Sequence, residues 1–246
     1  MEKKYKLTEE TINVNGKTLY RIKSLKDFGN VKKGDKGGFI ENESNLSQSG
    51  DCWVYCDAKV FEDARIYGNA RVLDNAVVRD NAKVYGNAAI YCDAKVYDNA
   101  KICDYAEVYG YARVRGNAKV CDNAMVYDNA KVYGNANVYG HAMVYDNANV
   151  YGHARIYGNA EILAKAVVCG DAVITNKSDY ILFKNWWSSG RCFTWTRSNN
   201  MWKVGCFYGT SNELIEKAYK DSKLSGREYE RVVKYVEAIL NNNTDV

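Results

Sequence analysis

KVYGNANVYGHAMVYDNANVYGHARIYGNA, residues 131–160, says nearly the same six-residue word five times. Followed in both directions, the register puts Val or Ile at every sixth position from Val54 to Ile174, twenty-one positions without a gap. Ala stands four residues after each of the first twenty, from Ala58 to Ala172. A period of six fits neither the 3.6 of an amphipathic helix nor the 2 of a long flat strand. It fits a short strand plus a corner: the aliphatic residue points inward, its neighbours on both sides point outward by the pleat, and the chain then bends. The bend falls at pairs such as Gly68-Asn69, Asp74-Asn75, Gly134-Asn135 and Gly140-His141, residue types that tolerate left-handed backbone. Ala fits where the corner leaves little interior room.

The word V-Y-G-N-A-K resembles the hexapeptide repeat of left-handed parallel β-helix proteins, the fold of the hexapeptide acyltransferases. The resemblance covers residues 54–175. It implies three hexads per coil, hence 18 residues and a triangular prism, and its left hand runs against the usual right-handed crossover. At about 4.8 Å per coil, about seven coils make a rod on the order of 30–35 Å long. The expected fold is therefore mainly β, a left-handed parallel β-helix between an N-terminal β cap and a small C-terminal α+β domain.

Three segments follow from this reading: 1–53, 54–175 and 176–246. In the first, KYKLTEETINVNGKTLYRIKSL reads as a hairpin turning at Asn15-Gly16, and GDKGGFIENESNLSQSGDCWV leads into the first coil as a cap. The run GGFIE-x-E-x-NLS also resembles a group of bacterial and phage hexapeptide-repeat proteins. In the last segment, DYILFKNWW, RCFTWTRS and MWKVGCFYG read as strands, the latter two joined at Asn199-Asn200. Two helices follow. One starts at the capping-box spelling Thr210-Ser211-Asn212-Glu213, and the other starts near Ser225 with Val232, Val233, Val236 and Ile239 on one face. Trp186, Trp187, Trp195 and Trp202 are expected to fill the core of this segment. A solenoid needs such ends, because its last coil otherwise exposes an edge that recruits other chains.

With 47% hydrophobic residues the chain can bury a core, and a net charge of +4 is too mild to name a partner, so charge distribution has to decide. MEKKYKLTEET has no apolar leader region and no 18-residue apolar run exists, which predicts a cytoplasmic protein without a membrane span. Eight Cys lie at no zinc-like spacing; Cys52 and Cys56 make a C-x3-C without a second pair, so reduced thiols filling repeat positions are expected, with no metal centre.

Hexapeptide acyltransferases, as the resemblance implies, use a His as general base at a cleft between subunits, with an acyl-CoA donor. This chain has two His, His141 and His153, and each replaces the Asn of a corner pair. Counting 18 residues per coil puts them on different corners. They are kept as the weaker catalytic alternative, acyl-CoA being the cofactor that goes with it; the primary expectation is no catalytic residue and no cofactor. Two His are too few for the three-His zinc site of the fold's carbonic anhydrases.

The surface carries more information, because the register assigns each residue a face. On one face Arg65, Lys83, Lys101, Lys119 and Arg155 form a column beside Tyr67, Tyr85, Tyr139 and Tyr157, with Cys103 and Cys121 in the middle. These cations and tyrosines are the candidate binding residues. A second face carries Lys59, Arg79, Lys95, Arg113, Arg115 and Lys131 beside Tyr97, Tyr133 and Tyr151. The third displays Trp53, Tyr55, Leu73, Tyr91, Tyr109, Met125, Tyr127, Met143 and Tyr145, an apolar stripe suited to packing against a partner or a second copy. Asp57, Asp74, Asp93, Asp128 and Asp146 share a corner, where Asp is a turn residue with cation binding as the alternative.

The expected function is a non-enzymatic scaffold presenting flat Tyr/Lys/Arg faces to a protein or an anionic macromolecule. The leader's resemblance implies a host macromolecule, such as a defence factor blocked in the host cytoplasm. The rivals are an acyl-CoA-dependent acyltransferase and a structural rod that self-assembles as a dimer, trimer or filament.

Overall fold

The computed structural model describes residues 2–187 and 190–242. Strand β1 (Tyr5–Val14) and strand β2 (Lys17–Ser24) form the N-terminal hairpin, turning at Asn15 and Gly16, both at positive φ. Strand β3 (Lys36–Ile40) follows. From β4 (Trp53–Val54) to β24 (Val173–Ile174) run twenty-one two-residue strands among the described residues, one per hexad. They stack in parallel with partners eighteen residues apart, as in Lys101↔Lys119 and Val126↔Val144. Three parallel stacks result, each seven coil strands long. The inward Val and Ile of every hexad and all twenty repeat Ala are buried in one continuous core.

Corner geometry follows from the letters. The first residue of each corner pair has positive φ throughout, from Cys56 to Gly170, and the Ala N–H closes most turns by donating to the carbonyl three residues back, as in Ala130 to Tyr127 at 3.1 Å. Where that first residue is Asp, its carboxylate accepts the N–H of the equivalent residue one coil later. Asp74 takes Cys92, Asp98 takes Gly116, Asp122 takes Gly140 and Asp146 takes Ala164, each at 2.9 Å. These corner aspartates are thus intercoil acceptors. Asn ladders run beside them, Asn99 to Asn117 at 3.2 Å and Asn117 to Asn135 at 3.0 Å.

The N-terminal cap is continuous with the rod. β3 pairs antiparallel with β2 and parallel with Lys59–Val60, so the hairpin extends one face into a ten-stranded sheet. This close approach explains Gly37 and Gly38, where a Cβ would lie 2.5 Å from the Val54 carbonyl oxygen and 2.6 Å from that of Ala58. Lys4 is buried beneath the cap, its Nζ donating to the carbonyls of Gly50 (3.1 Å) and Cys52 (2.9 Å). Desolvation lowers its pKa.

At the other end, strands β25 (Tyr180–Lys184), β26 (Cys192–Thr196), β27 (Met201–Val204) and β28 (Phe207–Gly209) form an antiparallel sheet against helices α1 (Ser211–Asp221) and α2 (Lys223–Asn242). MWKVGCFYG, expected as one strand, splits at Gly205-Cys206, where Gly205 takes positive φ. Thr210 and Glu213 form the expected capping box. Helix α2 begins at Lys223, before the expected start near Ser225, because Ser222 Oγ accepts the Ser225 N–H (3.0 Å) and caps it. Trp195 and Trp202 fill the core and Trp187 packs against it, but Trp186, two residues past the end of β25, is 82% exposed. This sheet also covers the rod's last edge. Thr194 Oγ1 accepts the Val167 N–H (2.9 Å) and Ser198 Oγ accepts that of Val173 (2.7 Å), so two of the terminal strands' donors are satisfied.

Candidate interaction surfaces

Each face consists of two outward columns, one residue before and one after the buried aliphatic. On the basic face, Arg65, Lys83, Lys101 and Lys119 are consecutive partners in register, followed by Asn137 and Arg155. All five cations are exposed, and among the described residues none forms a salt bridge. Like charges directly opposite on neighbouring strands repel. The column therefore holds unneutralised positive charge, one cation per coil over four coils.

The tyrosines beside it stack in two pairs. Tyr67 and Tyr85 lie 4.9 Å apart at 3°, and Tyr139 and Tyr157 lie 4.8 Å apart at 9°. Between the pairs the column drops to Cys103 and Cys121, both buried, so the face carries two aromatic ridges with a notch between them. The second basic face differs in that part of its charge is internally engaged. Arg79 lies over the Tyr97 ring at 4.6 Å and Arg115 over Tyr133 at 4.8 Å.

On the apolar face, Tyr91, Tyr109, Tyr127 and Tyr145 form one uninterrupted stack at 4.8 to 4.9 Å. Burial raises the phenol pKa along this stack, and the Tyr91 hydroxyl donates to Glu107 at 2.8 Å. Leu73, Met125 and Met143 are partly exposed beside them. Trp53, expected on this face, is 1% exposed. The cap covers it, with the Phe28 ring 5.3 Å and the Tyr5 ring 6.0 Å away, both edge-on. Tyr55 is half-buried against the core for the same reason. The usable stripe thus starts at Leu73.

Two residues of this region were not singled out by the register. Tyr105 and Tyr111 are 63% and 64% exposed and project from the two corners that bound the apolar face at the coil of Tyr109. The signal was present: Tyr occupies the second corner position where Asn or His usually stands. Tyr105 also walls a shallow cleft of about 650 Å³ lined by Arg71, Asn87, Glu107 and Met125.

His141 and His153 are exposed on different corners, twelve residues apart, and their backbone N–H groups donate to Gly158 and Gly170 as any corner residue does. The fold does not bring them together within one chain.

Stacked two-residue strands, a buried Val/Ile and Ala core and three flat faces define a parallel β-solenoid repeat protein. Residues 64–80 match the family described as YdcK beta solenoid repeat. Among curated proteins no relative matches the chain. No helix of the described residues is long and apolar enough to cross a membrane.

Proposed function

We propose that the chain is a non-enzymatic binding scaffold that docks an anionic macromolecular surface on the face of Arg65, Lys83, Lys101, Lys119 and Arg155. One observation carries this reading: four in-register cations, all exposed, with no salt-bridge partner among the described residues. Such a column raises the energy of the isolated rod and is relieved by a matching row of anions. The stacked tyrosines stiffen the ridges beside it at small entropic cost, which favours a flat, preorganised contact. The leader's resemblance to bacterial and phage proteins supports a host macromolecule as target and occlusion as mechanism.

The test is binding of a labelled acidic polypeptide, poly-glutamate, followed by anisotropy across a salt series. Affinity is expected to fall as salt rises. The triple variant Lys83→Glu, Lys101→Glu, Lys119→Glu is expected to lose affinity on the order of a hundredfold, with unchanged circular dichroism. Equal affinity of the variant overturns the reading.

The apolar face supports a second contact, with another copy of the chain. Tyr105 and Tyr111, exposed on both of its corners, favour it, because large exposed aromatics around an apolar stripe mark association surfaces. Mass in solution is expected to exceed the 27.8 kDa of one chain and to fall to that of a single chain in the Tyr105→Ser, Tyr111→Ser, Met125→Ser variant. A monomeric wild type overturns it.

A further inference from the structure

We propose that Cys103, Cys121 and Asp104 form a binding site for one divalent cation of the zinc class, set in the notch of the basic face. The two Sγ atoms and a carboxylate oxygen of Asp104 lie within 4.8 Å of one another. A tetrahedral site with metal–sulfur bonds of about 2.3 Å needs ligand atoms about 3.8 Å apart, so small side-chain rotations close the set. Two sulfurs with one oxygen suit a borderline or soft cation rather than magnesium or calcium.

The surroundings fit the same assignment. Cys103 and Cys121 are 1% and 8% exposed, whereas Asp104 sits exposed on the corner, so the sulfurs form a dry floor and the carboxylate the mouth. Leu73 and Leu163 show that an aliphatic residue fills the equivalent outward position on another face, so packing alone does not require thiols in two successive coils. Two thiolates and a carboxylate carry three negative charges, and a divalent cation leaves one. Lys101 and Lys119 stand two residues before each Cys on the same face and offset it.

A thiol carries its proton at neutral pH unless a metal or a base takes it, since its ordinary pKa is about 8.5. Binding therefore exchanges protons for metal: two S–H bonds break, two metal–sulfur bonds form, and two protons pass to solvent with no change of oxidation state. Three protein ligands leave the fourth position to water. Tyr85 stands one coil before Cys103 in the same column, beside that ligand and outside the set. The spacing escapes the usual Cys motifs because the ligands meet through the eighteen-residue coil.

The experiment titrates the reduced full chain with Co²⁺ and then Zn²⁺. One equivalent of Co²⁺ is expected to give the visible bands of a tetrahedral thiolate site, displaced by Zn²⁺ with release of two protons per Zn²⁺ bound to the metal-free protein. Cys103→Ser and Cys121→Ser are each expected to lose the bands, while the double variant Cys56→Ser, Cys92→Ser keeps them. Asp104→Asn, altering an exposed corner, is expected to weaken Co²⁺ binding by about tenfold or more. No bound equivalent in the reduced protein, or bands that persist in either of the first two variants, overturns the proposal. If those variants fail to fold, unchanged Co²⁺ affinity in Asp104→Asn does so.

Discussion

Replacing Trp53 with Ala is expected to lower the unfolding free energy by about 3–5 kcal/mol, the range for truncating a large buried aromatic. The register alone makes Trp53 an outward residue, and an exposed residue changed to Ala moves stability by no more than about 0.5 kcal/mol. The two outcomes are well separated. The larger is expected because Trp53 lies under the hairpin with Tyr5 and Phe28 edge-on to its ring, and its Cζ2 would be 2.7 Å from a Cβ on Gly37. Removing the indole leaves a void at the junction of cap and first coil, where Lys4 is also buried. Urea denaturation gives the free energy, and proteolysis should cut first in residues 1–53. A loss under 1 kcal/mol would show that the hairpin does not depend on this contact.

Gly134 supplies the second large effect. It holds φ +68, and a Cβ there would lie 3.1 Å from the Gly152 nitrogen. Val adds left-handed strain of about 1–2 kcal/mol and a branch against the next coil, so Gly134→Val is expected to cost about 3 kcal/mol in all. Gly134→Asp is expected to stay within about 1 kcal/mol of the wild type. Asp occupies the equivalent site at Asp80, Asp98, Asp122 and Asp128 with φ near +57, and its carboxylate would accept the Gly152 N–H. Equal losses for Val and Asp, read from the same denaturation curves, would show that space alone governs the corner.

The repeat was legible because each of its constraints is local. A six-residue period fixes which residue points inward, a positive φ favours Gly or Asp at most corners, and an eighteen-residue partner spacing follows once three strands close a turn. The turn at Asn15-Gly16 and the box at Thr210–Glu213 are equally local, and both stand where the letters put them. What lay beyond reach was coverage. The register gives the direction of Trp53 but not the strand that comes to lie beside it, since β3 joins the rod through backbone pairing and two glycines rather than through a repeat. The same holds at the far end, where Trp186 escapes the core that takes Trp195 and Trp202. The candidate site was half visible. Its columns were read from spacing, whereas the exposure of Tyr105 and Tyr111 and the meeting of Cys103 with Asp104 and Cys121 depend on side-chain directions at corners.

The eighteen-residue register also sets how such a chain can change in length. Losing or gaining a whole coil shortens or extends every column and leaves each column on its own face. Losing a single hexad preserves the core equally well, because one Val or Ile and one Ala leave together. It turns everything downstream by one third of a revolution, so Lys119 would align beneath residues of a different face. Selection acting on the core alone would accept either event, whereas a protein that depends on matched columns can change length only in steps of three hexads.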